Sequence, residues 1–370
     1  MASLNPELHI ERSYLSAALG PVGKAVSPRN PLAILSHVHL VYADGKLTIT
    51  ATDLDTTIRA SIPARLANGD FFDVCLPASQ LTDYISKCND APLVLENSDG
   101  KIVARSGKSR LTILSSPGED FPDPTEVTDY QEIKLPSGIL KDMLRMTAFA
   151  ASKEESRSLL MGVLFECAGN VLRVVATDTH RLAHKETDLN GDYTNCAIIV
   201  PAKPLVELER VLKNNSEEMV SLRFNSSQVQ FLTAEMALTS RLLDGQFPNY
   251  EKVIPKTAER RATVEREDLL SAVRRVDVVA RASSQKMVCK FGNDLLTLTA
   301  DSPESGAAFE EVQIQLDGAP LTIAFNARYL LEVLGLITDD RLVFDLNGPL
   351  NPGILRTSSG LLYVVMPMQA

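Results

Sequence analysis

The sequence has no long apolar run and no cysteine pair at a metal-binding spacing, and each absence removes a class of protein. No stretch of the 370 residues approaches the roughly 18 uninterrupted apolar residues of a membrane helix. Residues 1–20 carry acidic side chains and lack the apolar core of a signal peptide. The five cysteines are odd in number and form no CxxC pair, which argues against a disulfide framework and a structural zinc site. We therefore expect a cytoplasmic protein with reduced thiols.

Motifs of several enzyme classes are missing as well. The chain contains no nucleophile elbow, and Gly20-Pro-Val-Gly-Lys24 lacks the GxxxxGK[ST] spacing of a phosphate loop. His37 and His39 lie on one side of a strand pattern, but two ligands do not make a metal site. The net charge of −10 argues against a nucleic-acid partner unless Lys and Arg are gathered on one surface.

What is present is a long internal repeat. Asp53, Asp178 and Asp301 each follow an apolar strand pattern that ends in Ala-Thr or Thr-Ala, and they are 125 and 123 residues apart. Pro77, Pro201 and Asn326 each close a strand before a helical pattern, with spacings of 124 and 125. The helical patterns around Leu15, Leu140 and Leu269 repeat at 125 and 129. The period far exceeds the 20–50 residues of solenoid repeats, so we predict three domains, 1–128, 129–258 and 259–370.

Each copy is predicted to be an α+β unit of two helices and a mainly antiparallel sheet. In the first copy, Leu15, Ala18, Leu19 and Val22 share a helix face, and Asp44-Gly45 between alternating runs is a hairpin signal. The other predicted helices are Ser79–Cys88, Ser137 to about Ala151, Lys203–Leu212 and Arg266 to about Arg281. Predicted strands include Phe71–Leu76, Gly162–Glu166 and Val171–Ala176.

Basic residues recur in these helices at spacings of three, four and seven, which place side chains on one helix face. The plain interpretation of any one helix is a solvated face of mixed charge, because Glu207 and Glu209 lie among the basic residues. Recurrence in all three copies favours a shared basic surface.

The repeat, Ala-Thr-Asp-Thr-His-Arg-Leu-Ala from Ala176, Phe-Pro-Asn-Tyr-Glu-Lys-Val-Ile-Pro from Phe247 and the terminal Tyr-Val-Val-Met-Pro-Met from Tyr363 together resemble the bacterial DNA polymerase III beta subunit family, the sliding clamps. The resemblance covers the whole chain. It implies a head-to-tail dimeric ring of six domains that encircles duplex DNA and tethers the polymerase for processive synthesis. It also implies no catalysis, no cofactor and no metal site.

The resemblance implies three surfaces. Partners expected in a hydrophobic groove are short linear motifs of the polymerase III alpha subunit, the clamp loader, other polymerases and repair proteins. The groove residues would be Leu160, Thr177, Thr179, His180, Arg181, Leu182, Pro248, Lys252, Val253, Val364, Val365, Met366, Pro367 and Met368, with Arg181 or His180 binding peptide oxygens. Residues that would face double-stranded DNA, independently of sequence, are Lys24, Arg29, Lys141, Arg145, Lys153, Arg157, Lys203, Arg210, Arg274 and Arg281. The homodimer contact would include Tyr84 and Ile85 on one side and Val278 and Val279 on the other.

Departures from the family pattern bear on peptide preference. Thr179 stands where the family commonly has Gly, and Lys252 stands where Arg is frequent. Two other classes remain open at this point. One is a hydrolase or nuclease that uses Asp53, Asp55, Asp178, His180 or His184 as metal ligands or acid/base groups. The other is a duplicated clamp-like binding scaffold that has no part in replication.

Overall fold

The computed structural model describes residues 5–27, 30–89, 91–124, 126–214 and 216–369. The chain divides into two compact units, Met1–Gly138 with Arg210–Leu242 and Ile139–Glu209 with Leu243–Ala370. None of the helices formed by the described residues is long and apolar enough to span a membrane.

The predicted order of helix, strands, helix and strands occurs three times, so the α+β repeat is confirmed. The first copy contains β1 (Glu7–Ile10), α1 (Arg12–Val22), β2 (His37–Ala43), β3 (Lys46–Thr52), β4 (Thr56–Pro63), β5 (Arg65–Ala67), β6 (Asp73–Pro77), α2 (Ala78–Lys87), β7 (Leu93–Ser98), β8 (Lys101–Ser106), β9 (Ser109–Leu114) and β10 (Ser116–Pro117). The second contains β11 (Gln131–Pro136), α3 (Ser137–Thr147), β12 (Gly162–Thr177), β13 (Arg181–Pro201), α4 (Ala202–Val211), β14 (Met219–Phe224), β15 (Gln228–Leu232) and β16 (Met236–Arg241). The third contains β17 (Arg260–Glu265), α5 (Arg266–Ala280), β18 (Lys286–Phe291), β19 (Leu295–Ser302), β20 (Gly306–Asp317), β21 (Leu321–Asn326), α6 (Ala327–Leu334), β22 (Arg341–Leu346), β23 (Gly353–Arg356) and β24 (Leu361–Val365).

Two predictions differ from the structure by more than two residues, and the other predicted elements named above agree with it to within two. The helix predicted to reach Ala151 ends as an α-helix at Thr147, whose φ of −126° leaves the helical region, and Ala148–Ala150 continues as a single 3₁₀ turn. The strands predicted as Gly162–Glu166 and Val171–Ala176 form one strand, β12, which is irregular between Cys167 and Val171. Pairing with β13 along its whole length holds the two halves together.

In the first unit, strands of the first two copies share one nine-stranded sheet, in the order β10-β6-β2-β3-β4-β16-β15-β14-β11. The copies meet where β4 pairs antiparallel with β16, with Thr57 opposite Thr239. We call this pairing and the residues around it the first junction.

In the second unit, a ten-stranded sheet has the order β12-β13-β24-β23-β22-β17-β20-β19-β18-β21. Here β13 of the second copy pairs antiparallel with β24 of the third, with Leu182 opposite Val364. We call this the second junction. The second copy therefore contributes strands to both sheets, and the domain boundaries 1–128, 129–258 and 259–370 remain a prediction.

Candidate functional site

A tight turn between β12 and β13 places the predicted groove residues at the end of a strand pair. Asp178 forms the turn, since its Oδ1 accepts hydrogen bonds from the backbone N–H groups of His180 (2.9 Å) and Arg181 (3.0 Å). The Thr177 hydroxyl donates to the Arg181 carbonyl oxygen at 2.6 Å. Thr179 has a φ of +78°, which is costly for a β-branched residue. The Asp178 carboxylate thus builds the turn.

The first copy has the same turn. Asp53 Oδ1 accepts from the N–H groups of Asp55 (3.1 Å) and Thr56 (2.7 Å), and Leu54 also has a φ of +78°. In the third copy, Asp301 instead continues in β19 and pairs with Ala307. The sequence echo therefore marks the same turn in two copies of three. The described residues contain no group of three or more His, Cys, Asp or Glu that could hold a metal ion.

An apolar cluster lies beside this turn at the second junction. Leu182 and Val364 face each other across β13 and β24, and both are buried. The buried members are Leu164, Val175, Leu182, Ile199, Phe247, Tyr250 and Val364, and the partly buried Leu159, Leu243, Ile254 and Leu362 pack against them. An apolar floor with partly open edges suits the side chains of a short hydrophobic peptide.

The end of the chain forms one edge of this cluster. Beyond β24, Met366 N–H donates to the His180 carbonyl oxygen at 2.8 Å, and Met368 N–H donates to the Ala324 carbonyl oxygen at 2.8 Å. Met366, Pro367 and Met368 are half-buried. Flexible thioethers at such an edge can adapt to different apolar partners.

The remaining predicted groove residues differ in exposure. Pro248, Lys252 and Val253 are exposed, beside the buried Tyr250. Leu160 and Val365 are buried. Because successive side chains of a strand point to opposite faces, Val365 lies on the other face of the sheet from Val364. Val364 thus belongs to the apolar cluster and Val365 does not, and a groove role for either residue stays a prediction.

Arg181 is a structural residue, which differs from the expectation that it binds peptide oxygens. Its guanidinium is 5% exposed and donates to Asp178 Oδ2 (3.0 Å), Glu332 Oε2 (2.5 Å) and the Phe149 carbonyl oxygen (3.0 Å). The guanidinium carbon also lies 4.5 Å from the centre of the Tyr329 ring. These partners occupy the N–H donors of the Arg181 guanidinium, so Arg181 joins the turn to α6.

Electrostatics around Arg181 reflect this role. Burial acts to raise the pKa of Glu332, but the hydrogen bonds and charges of Arg181 and Arg328 outweigh it and hold that pKa below its usual value. Burial lowers the pKa of Arg181, but its acidic neighbours raise that pKa by more, so the net shift is upward. Both groups therefore stay charged at neutral pH. His180, by contrast, is exposed, and its ring stacks on Tyr329 at 6.4 Å.

Sequence reasoning missed several members of the apolar cluster. Tyr250 packs in the cluster, and its hydroxyl donates to Glu166 Oε2 at 2.9 Å. Burial, followed by the bond to Glu166, raises the pKa of Tyr250. Leu164, Ile199 and Phe247 also belong to the cluster, and Leu159 and Leu243 pack against it. In the sequence, only the spacing of Phe247 and Tyr250 indicated that these residues pack together. The aliphatic residues have no feature that distinguishes them from the rest of the core.

The first junction has a pocket at the position that corresponds to the apolar cluster of the second. Its volume is about 320 Å³. Thr57 and Thr239 line it where the second junction has Leu182 and Val364, each 125 residues later. Arg59, Arg223 and Gln230 also line it. The same backbone arrangement thus carries an apolar cluster at one junction and a lining of mixed polarity, with threonine at the two matched positions, at the other.

The residues predicted to face DNA fall into two groups. Lys24, Lys153, Lys203, Arg210, Arg274 and Arg281 are exposed, as is Arg157, which bonds to Thr179 Oγ1 at 2.8 Å. Lys141 and Arg145 on α3 are less available, because Lys141 Nζ lies 4.0 Å from Glu209 Oε1 and Arg145 Nη2 lies 2.9 Å from Asp142 Oδ1. Arg29 lies outside the described residues.

Two of the four predicted dimer residues are in the core. Ile85 is 1% exposed and Val279 is 8% exposed, each within its own unit, so neither offers a surface, and we correct these two assignments. Val278 is 56% exposed. The Tyr84 hydroxyl donates to Ser109 Oγ at 3.2 Å, at the start of β9. Tyr84 and Val278 stay predictions.

Three tandem α+β copies joined strand to strand, with an apolar cluster at one junction, are typical of DNA clamps. Three family models match the chain in order: the N-terminal, central and C-terminal domains of the DNA polymerase III beta subunit, over residues 7–125, 134–249 and 251–369. The chain therefore belongs to the DNA polymerase III beta subunit family, the sliding clamps of bacterial DNA replication.

Relatives cover the chain from end to end. The beta sliding clamp of Caulobacter vibrioides is 33% identical over 98% of this chain and 100% of its own length. That of Pseudomonas aeruginosa is 31% identical over 97% of this chain and 99% of its own. A crystal structure of the Pseudomonas aeruginosa clamp bound to griselimycin has a TM-score of 0.92 at 30% identity, and it covers 99% of this chain and 100% of that one. The clamp from Bacillus subtilis has a TM-score of 0.91 at 25% identity, with the same coverage.

Proposed function

We propose that two copies of this chain close into a ring around duplex DNA, and that the ring tethers a polymerase without catalysing a reaction itself. The observation that carries the proposal is the repeated use of one strand pairing. At each junction a strand that follows the Asp turn, β4 or β13, pairs with the last strand of the next copy, β16 or β24.

The third copy and the first copy each contain one strand that corresponds to a member of this pairing but has no partner strand from another copy among the described strands. The third copy's counterpart of β4 and β13 is the first half of β20, and the first copy's counterpart of β16 and β24 is β9. Among the described strands, β9 pairs only with β8, and Gly306–Glu311 pairs only with β19. Leu114 on β9 is 70% exposed and Phe309 on β20 is 64% exposed. Two unpaired edges of complementary type favour association with each other.

Pairing β9 of one copy with β20 of a second copy would repeat the two junctions already present and leave neither edge open. Because the contact joins different surfaces, it is heterologous, and it closes when two copies complete the circle. Glu310 on β20 is held by Arg275 of α5 through bonds of 2.6 and 2.7 Å, so the edge is presented by an ordered strand. Val278, on the same helix, lies at a position consistent with this contact.

The DNA contact would use the exposed Lys and Arg residues predicted from the helices. A ring that slides has to contact phosphates without reading bases, because base contacts would hold it at one sequence. The net charge of −10 is compatible with this when the positive side chains are gathered towards the hole. The apolar groove at the second junction would receive the linear motifs of the polymerase III alpha subunit, the clamp loader, other polymerases and repair proteins.

The test is the assembly state of the purified chain. Negative-stain electron microscopy and sedimentation at two concentrations should show closed rings with the mass of a dimer. Leu114→Glu with Phe309→Glu places like charges on both edges and should yield monomers with unchanged circular dichroism. Leu350→Glu, at another exposed position, should leave the rings intact. Compact monomers of the unaltered chain at both concentrations would favour the scaffold alternative.

A further inference from the structure

A cavity of about 600 Å³ lies at the first junction, apart from the groove and from the edge strands. The small residues Ala17 and Ala18 of α1 and Ala60 of β4 form one side. Ser137 at the start of α3, Glu218 and Glu235 contribute polar groups. Lys46 and Lys213 also line it, so the lining carries two charges of each sign.

The second junction shows why this space is open. Asp142 and Lys185 occupy the positions 125 residues after Ala17 and Ala60. Their side chains form an ion pair there, and Lys185 is only 6% exposed. Two alanines at the first junction leave the corresponding volume unfilled.

A second difference concerns the first residue of each copy's first helix. Arg12 begins α1, and its Nη1 donates to the Ile85 carbonyl oxygen at 3.2 Å, near the end of α2. Arg266 begins α5, and its Nη1 donates to the Leu334 carbonyl oxygen at 3.3 Å, at the end of α6. In two copies, therefore, a guanidinium joins the start of one helix to the end of the other.

The middle copy has Ser137 at this position. The backbone is equivalent, since Ser137 N–H donates to the Glu218 carbonyl oxygen at 2.7 Å and Arg266 N–H donates to the Asp340 carbonyl oxygen at 2.7 Å. The Ser137 side chain is 2% exposed, and its Oγ has no hydrogen-bond partner among the described residues. A buried hydroxyl without a partner is costly, and it points to a group that completes it.

We infer that this cavity binds a guanidinium group, supplied either by an arginine side chain of a partner or by a small guanidino compound. The planar cation would take the place that the Arg12 and Arg266 guanidinium groups hold in the other copies. Ser137 Oγ and the Glu235 carboxylate are the acceptors, beside Glu218, whose carboxylate also accepts from Lys213 Nζ at 3.5 Å and from the Ala234 N–H at 3.4 Å. Because two lysines also line the cavity, a singly charged cation suits it better than a polyamine.

Isothermal titration calorimetry on the full chain tests the inference with ethylguanidinium as the probe and ethylammonium as its matched control. We expect millimolar binding of ethylguanidinium and at least tenfold weaker binding of ethylammonium, which lacks the planar fork of donors. The tripeptide acetyl-Ala-Arg-Ala-amide distinguishes the two sources. Tighter binding of the tripeptide indicates a partner's arginine, and equal or weaker binding indicates a small compound.

Ser137→Arg should refill the cavity from within and reduce ethylguanidinium binding at least tenfold. If Ser137→Arg does not fold, Ala17→Asp with Ala60→Lys fills the cavity instead, with the ion pair found at the second junction. Equal binding of ethylammonium, preferential binding of inorganic phosphate, or undiminished binding by a folded refilled variant would overturn the inference. The result does not depend on ring closure or on the groove, because neither lies at this cavity.

Discussion

The two junctions of the chain share one backbone plan but use opposite side-chain chemistry. At the second, Leu182 and Val364 belong to a buried apolar cluster, whereas Thr57 and Thr239 take those positions at the first. Between helix and strand the polarity is the other way round. The charged pair Asp142 and Lys185 fills this space at the second junction, whereas Ala17 and Ala60 leave it open at the first. Strand pairing alone therefore joins two copies, and the side chains decide what each junction binds.

The peptide groove that we propose at the second junction depends on this difference. Apolar area removed from water supplies the affinity for a short hydrophobic peptide, at roughly 25 cal/mol per Å². Thr57 and Thr239 offer less of that area than Leu182 and Val364 do. The first junction is thus suited to polar groups, and the second to apolar ones.

The largest expected effect comes from breaking the buried charge cluster of the second junction. Arg181→Met leaves Asp178 and Glu332 without their shared cation, which we expect to lower the free energy of unfolding by about 3–5 kcal/mol. Chemical denaturation followed by circular dichroism measures this. Thr56, 125 residues earlier, is the matched position at the first junction, and Thr56→Ala should cost less than about 1 kcal/mol. Equal costs at both sites would contradict the contrast.

The next effect concerns peptide affinity. Exchanging the groove floor for the lining of the first junction, by Leu182→Thr with Val364→Thr, should weaken binding of a fluorescent clamp-motif peptide about 30-fold, or about 2 kcal/mol. Fluorescence anisotropy checks this. The reciprocal change, Thr57→Leu with Thr239→Val, should leave groove affinity as it was. A floor variant that still binds like the unaltered chain would remove Leu182 and Val364 from the site.

A smaller effect is a pH dependence at the second junction. The pKa of Glu332 is lowered in the folded state, because Arg181 and Arg328 outweigh the opposing effect of burial. A lowered pKa stabilises the fold above the unfolded value of about 4.3, and this contribution is lost as the pH falls through the folded value. Glu332→Gln should therefore cost about 1–2 kcal/mol at pH 7.

Urea unfolding between pH 7 and pH 3 provides the measurement for Glu332. The difference between the unaltered chain and Glu332→Gln should be constant down to about pH 5 and should narrow below about pH 4. Glu155→Gln, at an exposed position, controls for the loss of one carboxylate. A difference that stays the same across the whole range would show that Glu332 contributes no ionised contact.

The smallest effect compares the two Asp turns. Thr179→Gly and Leu54→Gly each relieve a residue with a φ of +78°, and each should raise the free energy of unfolding by up to about 1 kcal/mol. Thr179 also accepts a hydrogen bond from Arg157, which glycine removes, so we expect a smaller gain at 179 than at 54. Thermal unfolding resolves the order. A loss of stability at both positions would show that the turns are not strained.

The sequence by itself determined the threefold repeat, the α+β class, most helix bounds and the Asp turns. These follow from local patterns, because helix and strand periodicities and an Asp-capped turn need only neighbouring residues. Pro248, Val253 and the terminal Val-Val-Met-Pro-Met could be proposed for a groove on their motifs. Their grouping around Tyr250 and Ile199 could not be predicted, because nothing in the sequence indicates which core an aliphatic residue joins.

Only the tertiary structure decided the roles that depend on distant partners. Arg181 and Glu332 are 151 residues apart, and no local pattern shows that this cation is buried while His180 beside it is exposed. The sequence predicted surface contacts for Ile85 and Val279, but both side chains are buried in the core. The cavity beside Ser137 arises because three small side chains meet across paired strands and helices. Burial, charge pairing and empty volume are properties of residues brought together by the fold, and the chain order alone does not contain them.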